Sequence, residues 1–233
     1  MENAHKTNQF TNYGWAAKEL EIRARDMLEI DESKAIIACC SGTAALHAML
    51  WGIQRQDGEK RIGTQDFTFA SNSLGPAGGP IVSDMRPDLN IDLSNPYIDQ
   101  ANILIVTNVF GHLQDFEYIS QHGFPYIIFD NAATPYTFLN GTNSCNYACG
   151  SYISLHHTKP IGFGEGGLAI IDKEYEEAVR IATNFGIIDE QFNERSGNYK
   201  ISEVSAAAIL QWWDQFDIGT LSKQYSDNYY KLM

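Results

Sequence analysis

Ser154 and Lys159 place a hydroxyl and an amine five positions apart in Ser154-Leu-His-His-Thr-Lys159-Pro-Ile-Gly162-Phe-Gly164-Glu-Gly166-Gly167. The stretch follows a short apolar run, Tyr152-Ile153, and four of its last six residues are glycine. A second apolar run, 168–171, comes next. A lysine constrained in this way can attack a carbonyl as a covalent nucleophile. Taken alone, the stretch also reads as a surface lysine in a glycine-rich loop.

Two distant segments change that balance. Ser41-Gly42-Thr43-Ala44-Ala45-Leu46 directly follows the apolar run 35–40 and opens a helix-like segment, 44–53. Strand, Ser-Gly-Thr, then helix aims backbone N–H groups and the positive helix end at one spot, which suits a phosphate. Gly42 lets the backbone approach closely, and Thr43 offers a hydroxyl and can cap the helix. An ordinary helix cap after a buried strand is the plainer alternative. Tyr126-Ile-Ile-Phe129-Asp130 sets an acid at the carboxyl end of an apolar strand, where open α/β sheets hold their ligands. Asp130 can pair there with a protonated pyridine nitrogen, or serve simply as a turn residue. A constrained amine, a phosphate anchor and such a carboxylate are what pyridoxal 5'-phosphate requires, with Lys159 as its Schiff-base lysine.

The elements that must position these groups are visible as alternating runs. Apolar stretches at 35–38, 103–106, 126–129, 152–154 and 168–171 alternate with helix-like stretches near 15–28, 44–54, 115–122, 173–185 and 202–216. Continuous apolar strands separated by helices predict an α/β fold, a mostly parallel sheet covered on both faces. The chain of 233 residues is 44% hydrophobic, enough for one sizeable core. Sixteen basic residues against twenty-nine acidic give a net charge of −13, which argues against a nucleic-acid partner. No apolar run is long enough to span a membrane, and Met1-Glu-Asn-Ala-His-Lys6 has no apolar signal core, so a cytoplasmic enzyme is expected. Cys39 and Cys40 sit inside a predicted strand as small hydrophobes. Cys145-x-x-x-Cys149 has no second pair of suitable spacing, so no metal is expected.

Further motifs follow in a fixed order. They are Thr11-Asn12-Tyr13-Gly14 with Leu20-Glu21, Phe67-Thr68-Phe69-Ala70-Ser71, and Asp84 with Asn90-Ile91-Asp92. Val109-Phe110-Gly111-His112 with Asp115 comes next, then Gly197-Asn198-Tyr199-Lys200-Ile201-Ser202-Glu203 with Ala206-Ala207. With the three segments above, they resemble the DegT/DnrJ/EryC1/StrS family of sugar aminotransferases from about residue 8 to about residue 217. The resemblance implies the large domain of fold-type I pyridoxal-phosphate transferases, with a seven-stranded sheet between helices. It implies amino transfer from an amino acid, with glutamate the expected donor, to a keto group on a nucleotide-linked deoxysugar.

Residue by residue, Lys159 would hold the cofactor and move the proton between the substrate's Cα and the cofactor's C4′. Asp130 would face the ring nitrogen, Gly42, Thr43 and Ser154 the phosphate, and Phe69 the ring face. Asn198 would reach the neighbouring subunit's phosphate, implying a homodimer with shared sites. Trp212 and Trp213 offer aromatic area for that interface, or pack in the chain's own core. His156 and His157 read as turn-lining or surface residues. Thr134 stands where the family has glutamine or histidine, and Lys200 where it has arginine. The resemblance divides the chain into a cofactor-binding large domain, 1–217, and the start of a connection, 218–233, to a small domain that is absent. A cofactor-binding remnant or one half of a split aminotransferase are the alternatives.

Overall fold

A computed structural model of the protein describes residues 13–187 and 194–215, together with Lys6, Phe192, Asp217, Thr220, Leu221 and Gln224. Thr11, Asn12, Phe216 and most of 218–233 lie outside the described residues.

Seven strands form one sheet: β1 (Lys34–Cys39), β2 (Ile62–Gln65), β3 (Ile81–Ser83), β4 (Ile103–Thr107), β5 (Tyr126–Asp130), β8 (Gly150–Ser154) and β9 (Gly167–Asp172). β6 (Phe138–Leu139) and β7 (Thr142–Asn143) make a separate small hairpin. The sheet order is β1-β9-β8-β5-β4-β2-β3. β9 runs antiparallel to both its neighbours, and every other pairing is parallel. The five apolar runs are thus strands of a mostly parallel α/β sheet. β2 and β3 escape the apolar pattern because Gly63, Thr64 and Gln65 interrupt the first, while the second is a three-residue edge strand.

Both faces are covered, as the unbroken apolar strands require. Ala35, Ile37, Ala169 and Ile171 pack against α2 (Gly42–Asp57) and α4 (Glu176–Thr183). The alternate residues Ile36, Ala38, Leu168 and Ile170 pack against α1 (Trp15–Leu28) and α5 (Glu203–Trp213). The short α3 (Phe116–Gln121) is capped by Asp115, whose side chain accepts from the Tyr118 N–H. Burial of Ala16, Ala17, Leu20, Ala24 and Leu28 gives α1 one apolar stripe. Its first N–H groups are satisfied from a distance, since the buried Glu203 carboxylate accepts from Ala16 N at 2.7 Å and Ala17 N at 3.3 Å. Gly14 leaves room for that carboxylate, since a Cβ there would lie 2.6 Å from the Glu203 carboxyl carbon and push it from this position.

Candidate active site

Parallel pairing sets Thr107 beside Asp130 and Asp130 beside Tyr152 at the carboxyl ends of β4, β5 and β8. A cavity of about 1090 Å³ opens over these ends. Gly42, Thr43, Phe69, Asp130, Ser154 and Lys159 all line it, from segments more than a hundred residues apart in the chain. Asn198 does not line it. Asn198 is exposed, and its Oδ1 accepts from the Lys200 ammonium at 2.8 Å.

Lys159 is held by a loop with little freedom. Leu155 N donates to Gly166 O at 2.8 Å and His157 N to Gly164 O at 2.9 Å, closing the loop on itself. Inside it, Lys159 N donates to His156 O and Gly162 N to Lys159 O, so a tight turn lies on each side of the lysine. A Cβ at Gly162 would sit 2.0 Å from His156 O, so this approach excludes any other residue. His156 lines the cavity, with Nε2 3.4 Å from the Glu165 carboxylate, while His157 is exposed.

α5 anchors the same loop from behind. Trp213 is 3% exposed and its indole N–H donates to Ile161 O at 2.8 Å; Phe163 stacks on Trp212 at 5.2 Å. Of the two readings of the tryptophans, interface or core, the structure gives the second for Trp213: it belongs to the chain's own core, where its N–H meets an otherwise buried carbonyl. Trp213→Phe keeps the aromatic bulk and strands that carbonyl. It is expected to lower stability by roughly 1–3 kcal/mol in denaturant titrations. An unchanged midpoint would show that the hydrogen bond contributes nothing.

One corner of the cavity is built for an anion. Ser41 caps α2, its hydroxyl accepting from Ala44 N at 3.0 Å, which leaves the first N–H groups of the helix turned outward beside Thr43. Gly42 lies so close to β8 that a Cβ would come within 3.0 Å of Ser154 Cβ. The helix start and the Ser154 hydroxyl thereby share one small space. Gly167 permits this contact from β9, since its Cβ would meet Ser41 O at 2.2 Å.

At the other end lies Asp130, only 4% exposed. Its Oδ1 accepts from Ala132 N at 3.0 Å, and its Oδ2 from the Thr107 hydroxyl at 3.1 Å and from Asn72 Nδ2 at 3.4 Å. Burial raises its proton affinity above the ordinary carboxylate range, and hydrogen bonds from Tyr152, Ala132, Thr107 and Asn72 only partly oppose that. A cation at this carboxylate would relieve the cost of burial. Phe69 is 71% exposed on the cavity wall. Phe67 and Phe110 extend the wall, with ring centroids 6.2 Å apart in an edge-on pair. Sequence reasoning quoted both without giving them a role; the positive φ of Phe110, which turns its ring outward, is invisible to pattern analysis. The Thr134 hydroxyl, also on the cavity, donates to Asn108 O at 3.3 Å. Anion corner, reactive amine, aromatic wall and buried acid together suit a flat, phosphorylated ring with a basic nitrogen.

Among the described residues there is no group of His, Cys, Asp and Glu that could hold a metal, and no helix is long and apolar enough to cross a membrane. Residues 1–232 match the model of the DegT/DnrJ/EryC1/StrS aminotransferase family. Protein Rv3402c of Mycobacterium tuberculosis (strain ATCC 25618 / H37Rv) is 27% identical over 230 residues, covering 88% of this chain and 54% of that protein. The chain thus spans about half the length of the curated relatives it matches. Among solved structures, Helicobacter pylori PseC, an aminotransferase involved in the biosynthesis of pseudoaminic acid, is similar with a TM-score of 0.75 at 17% identity, over 90% of this chain and 60% of that one. DesI, crystallised in the presence of its TDP-sugar product, gives a TM-score of 0.76 at 22% identity, over 92% of this chain and 56% of its own. The α/β fold, with its mostly parallel seven-stranded sheet, is therefore the one these aminotransferase structures share.

Proposed function

The chain belongs to the DegT/DnrJ/EryC1/StrS aminotransferase family, and we propose that it binds pyridoxal 5'-phosphate and moves an amino group from an amino acid, glutamate by preference, to a nucleotide-linked keto-deoxysugar. The observation that carries this reading is the meeting of Lys159, Asp130 and the Gly42–Thr43 helix start in one cavity. When bound, the cofactor supplies an aldehyde that condenses with amines and a ring that takes up the electron pair released at the substrate's Cα. Gly42, Thr43 and Ser154 would hold its phosphate, and Phe69 would cover its ring face. Asp130 would keep the ring nitrogen protonated. Lys159 Nζ, placed by its two turns, would take up the proton from the donor's Cα as the general base. Amino acid becomes keto acid and keto sugar becomes amino sugar, with no net oxidation.

The test is the first half of that exchange. Purified chain loaded with pyridoxal phosphate and given glutamate should release one 2-oxoglutarate per site, then transfer the amino group to an added nucleotide-linked 4-keto- or 3-keto-deoxysugar. Cofactor binding without 2-oxoglutarate release would favour the reading as a remnant or as half of a split enzyme. In the proposed division, 1–217 is the cofactor-binding large domain and 218–233 begins the connection to a small domain.

The same reading includes a homodimer whose sites are shared. Asn198 is exposed and away from its own cavity, as a residue serving a partner's site must be. Phe67 and Phe110, both exposed on the cavity wall, leave apolar surface uncovered there. Mixing Lys159→Ala chains with Asn198→Ala chains should restore roughly a quarter of parental activity, because half the random dimers are hybrids and each regains one site. No recovery from two folded, inactive variants would sink the shared site.

A further inference from the structure

Asn72 lies three residues beyond Phe69 in the 3₁₀ turn Ala70–Ser73 and is fully buried. Its backbone N–H donates to Phe69 O at 3.1 Å. Its side-chain Oδ1 accepts from the Tyr152 hydroxyl at 2.6 Å and from the Ser71 hydroxyl at 3.3 Å. With Oδ1 towards Tyr152, whose hydroxyl also lies within hydrogen-bonding reach of Asp130, Nδ2 points at Thr68 Oγ1 (2.7 Å), Asp130 Oδ2 (3.4 Å) and Thr107 Oγ1 (3.5 Å). The Thr68 and Thr107 hydroxyls are 2.6 Å apart, and Thr107 donates to Asp130 at 3.1 Å. With Thr107 donating to the carboxylate, counting protons gives the bonds behind it one direction. Asn72 donates to Thr68, Thr68 to Thr107, and Thr107 to the carboxylate, which ends the relay as an acceptor.

We propose that Asn72 is a positioning residue that ties the segment carrying Phe69 to the carboxylate of Asp130, so that aromatic wall and buried acid keep their spacing as one unit. Its bearing on catalysis rests on the cofactor reading, but the coupling itself does not. Protonating Asp130 makes that oxygen a donor and reverses Thr107, which leaves Asn72 Nδ2 facing a changed set of acceptors.

The experiment follows both groups by NMR in the cofactor-free protein. In the unsubstituted chain the Asn72 side-chain amide protons should shift with the same midpoint as the Asp130 carboxyl carbon. Asn72→Asp keeps the volume and the acceptor for Tyr152 but sets a second carboxylate against the first. That pair should retain one proton to a higher pH than Asp130 alone, by about tenfold in proton affinity. Once that proton is lost, the amide protection factors across residues 69–74, which discount the base-catalysed rise of exchange with pH, should fall about tenfold, as expected for loss of a charge-assisted hydrogen bond. The parent should have no such step. Asn72 amide signals that ignore the Asp130 titration would overturn the proposal whether or not the variant folds, as would protection factors in Asn72→Asp that are independent of pH. Because these readouts need no cofactor, a parent that fails to bind pyridoxal phosphate would sink the cofactor reading alone.

Discussion

Lys159→Ala is expected to abolish amino transfer while leaving the cavity able to hold pyridoxal phosphate without a covalent link. Lys159 has two tasks, and the substitution removes both. General acid–base transfer is commonly worth about a hundredfold to ten-thousandfold, and loss of the covalent attachment adds to that, so a fall of at least about a thousandfold is expected. The phosphate corner of Gly42, Thr43 and Ser154 does not depend on the lysine side chain, and Asp130 is held by Ala132, Thr107 and Asn72. Affinity should therefore fall far less than rate. In the parent, purified protein should be yellow, and borohydride should fix the cofactor to the peptide containing Lys159. Recovery of that peptide unmodified after reduction in excess cofactor would remove Lys159 from the mechanism. Lys159→Arg should not rescue, since a guanidinium is not deprotonated in this setting.

The segment from Ser154 to Gly167 was legible because its chemistry is local. The glycines of the Lys159 loop are neighbours in sequence, and the contact that requires Gly162 is with His156, within the same loop. The strand ends carrying Asp130 and Ser154 were legible for a related reason, since their apolar runs leave only one place for a polar residue to emerge. β2 and β3 were not, because a strand bearing Gly63-Thr64-Gln65 is made by its neighbours rather than by its own composition.

The supports of the site were also hidden. Tyr152 reads as part of an apolar run, yet its hydroxyl orients Asn72, eighty residues away in the chain. Glu203 reads as an ordinary first-turn helical acid, yet it caps a different helix, α1, through Ala16 and Ala17. Trp213 could be placed in a core or an interface on composition alone; only the carbonyl it meets, Ile161 O, decides between them. In each case the information is a long-range pairing, and pairing of that kind leaves no spacing in a single sequence.

Asp130→Ala is expected to weaken cofactor binding and slow turnover by roughly a hundredfold or more, since loss of a buried charged partner commonly costs a few kcal/mol. The same residue should have the opposite effect on the cofactor-free fold. Burial raises the Asp130 proton affinity in the folded chain, so between the ordinary carboxylate range and its raised value the folded form holds a proton that the unfolded form has released. Stability contributed by Asp130 must then fall as pH rises through that window, because the folded state binds more protons there. Asp130→Asn cannot titrate and should lack this slope, so its melting temperature should gain on the parent as pH climbs from the carboxylate range towards neutrality. Loading with pyridoxal phosphate should reverse the order at neutral pH, since the ionised carboxylate then faces a cation. The site would in that case be one where the apo fold bears strain that its ligand relieves. Parental turnover in Asp130→Ala, or melting curves whose pH dependence is the same in parent and Asp130→Asn, would reduce Asp130 to the cap of a strand.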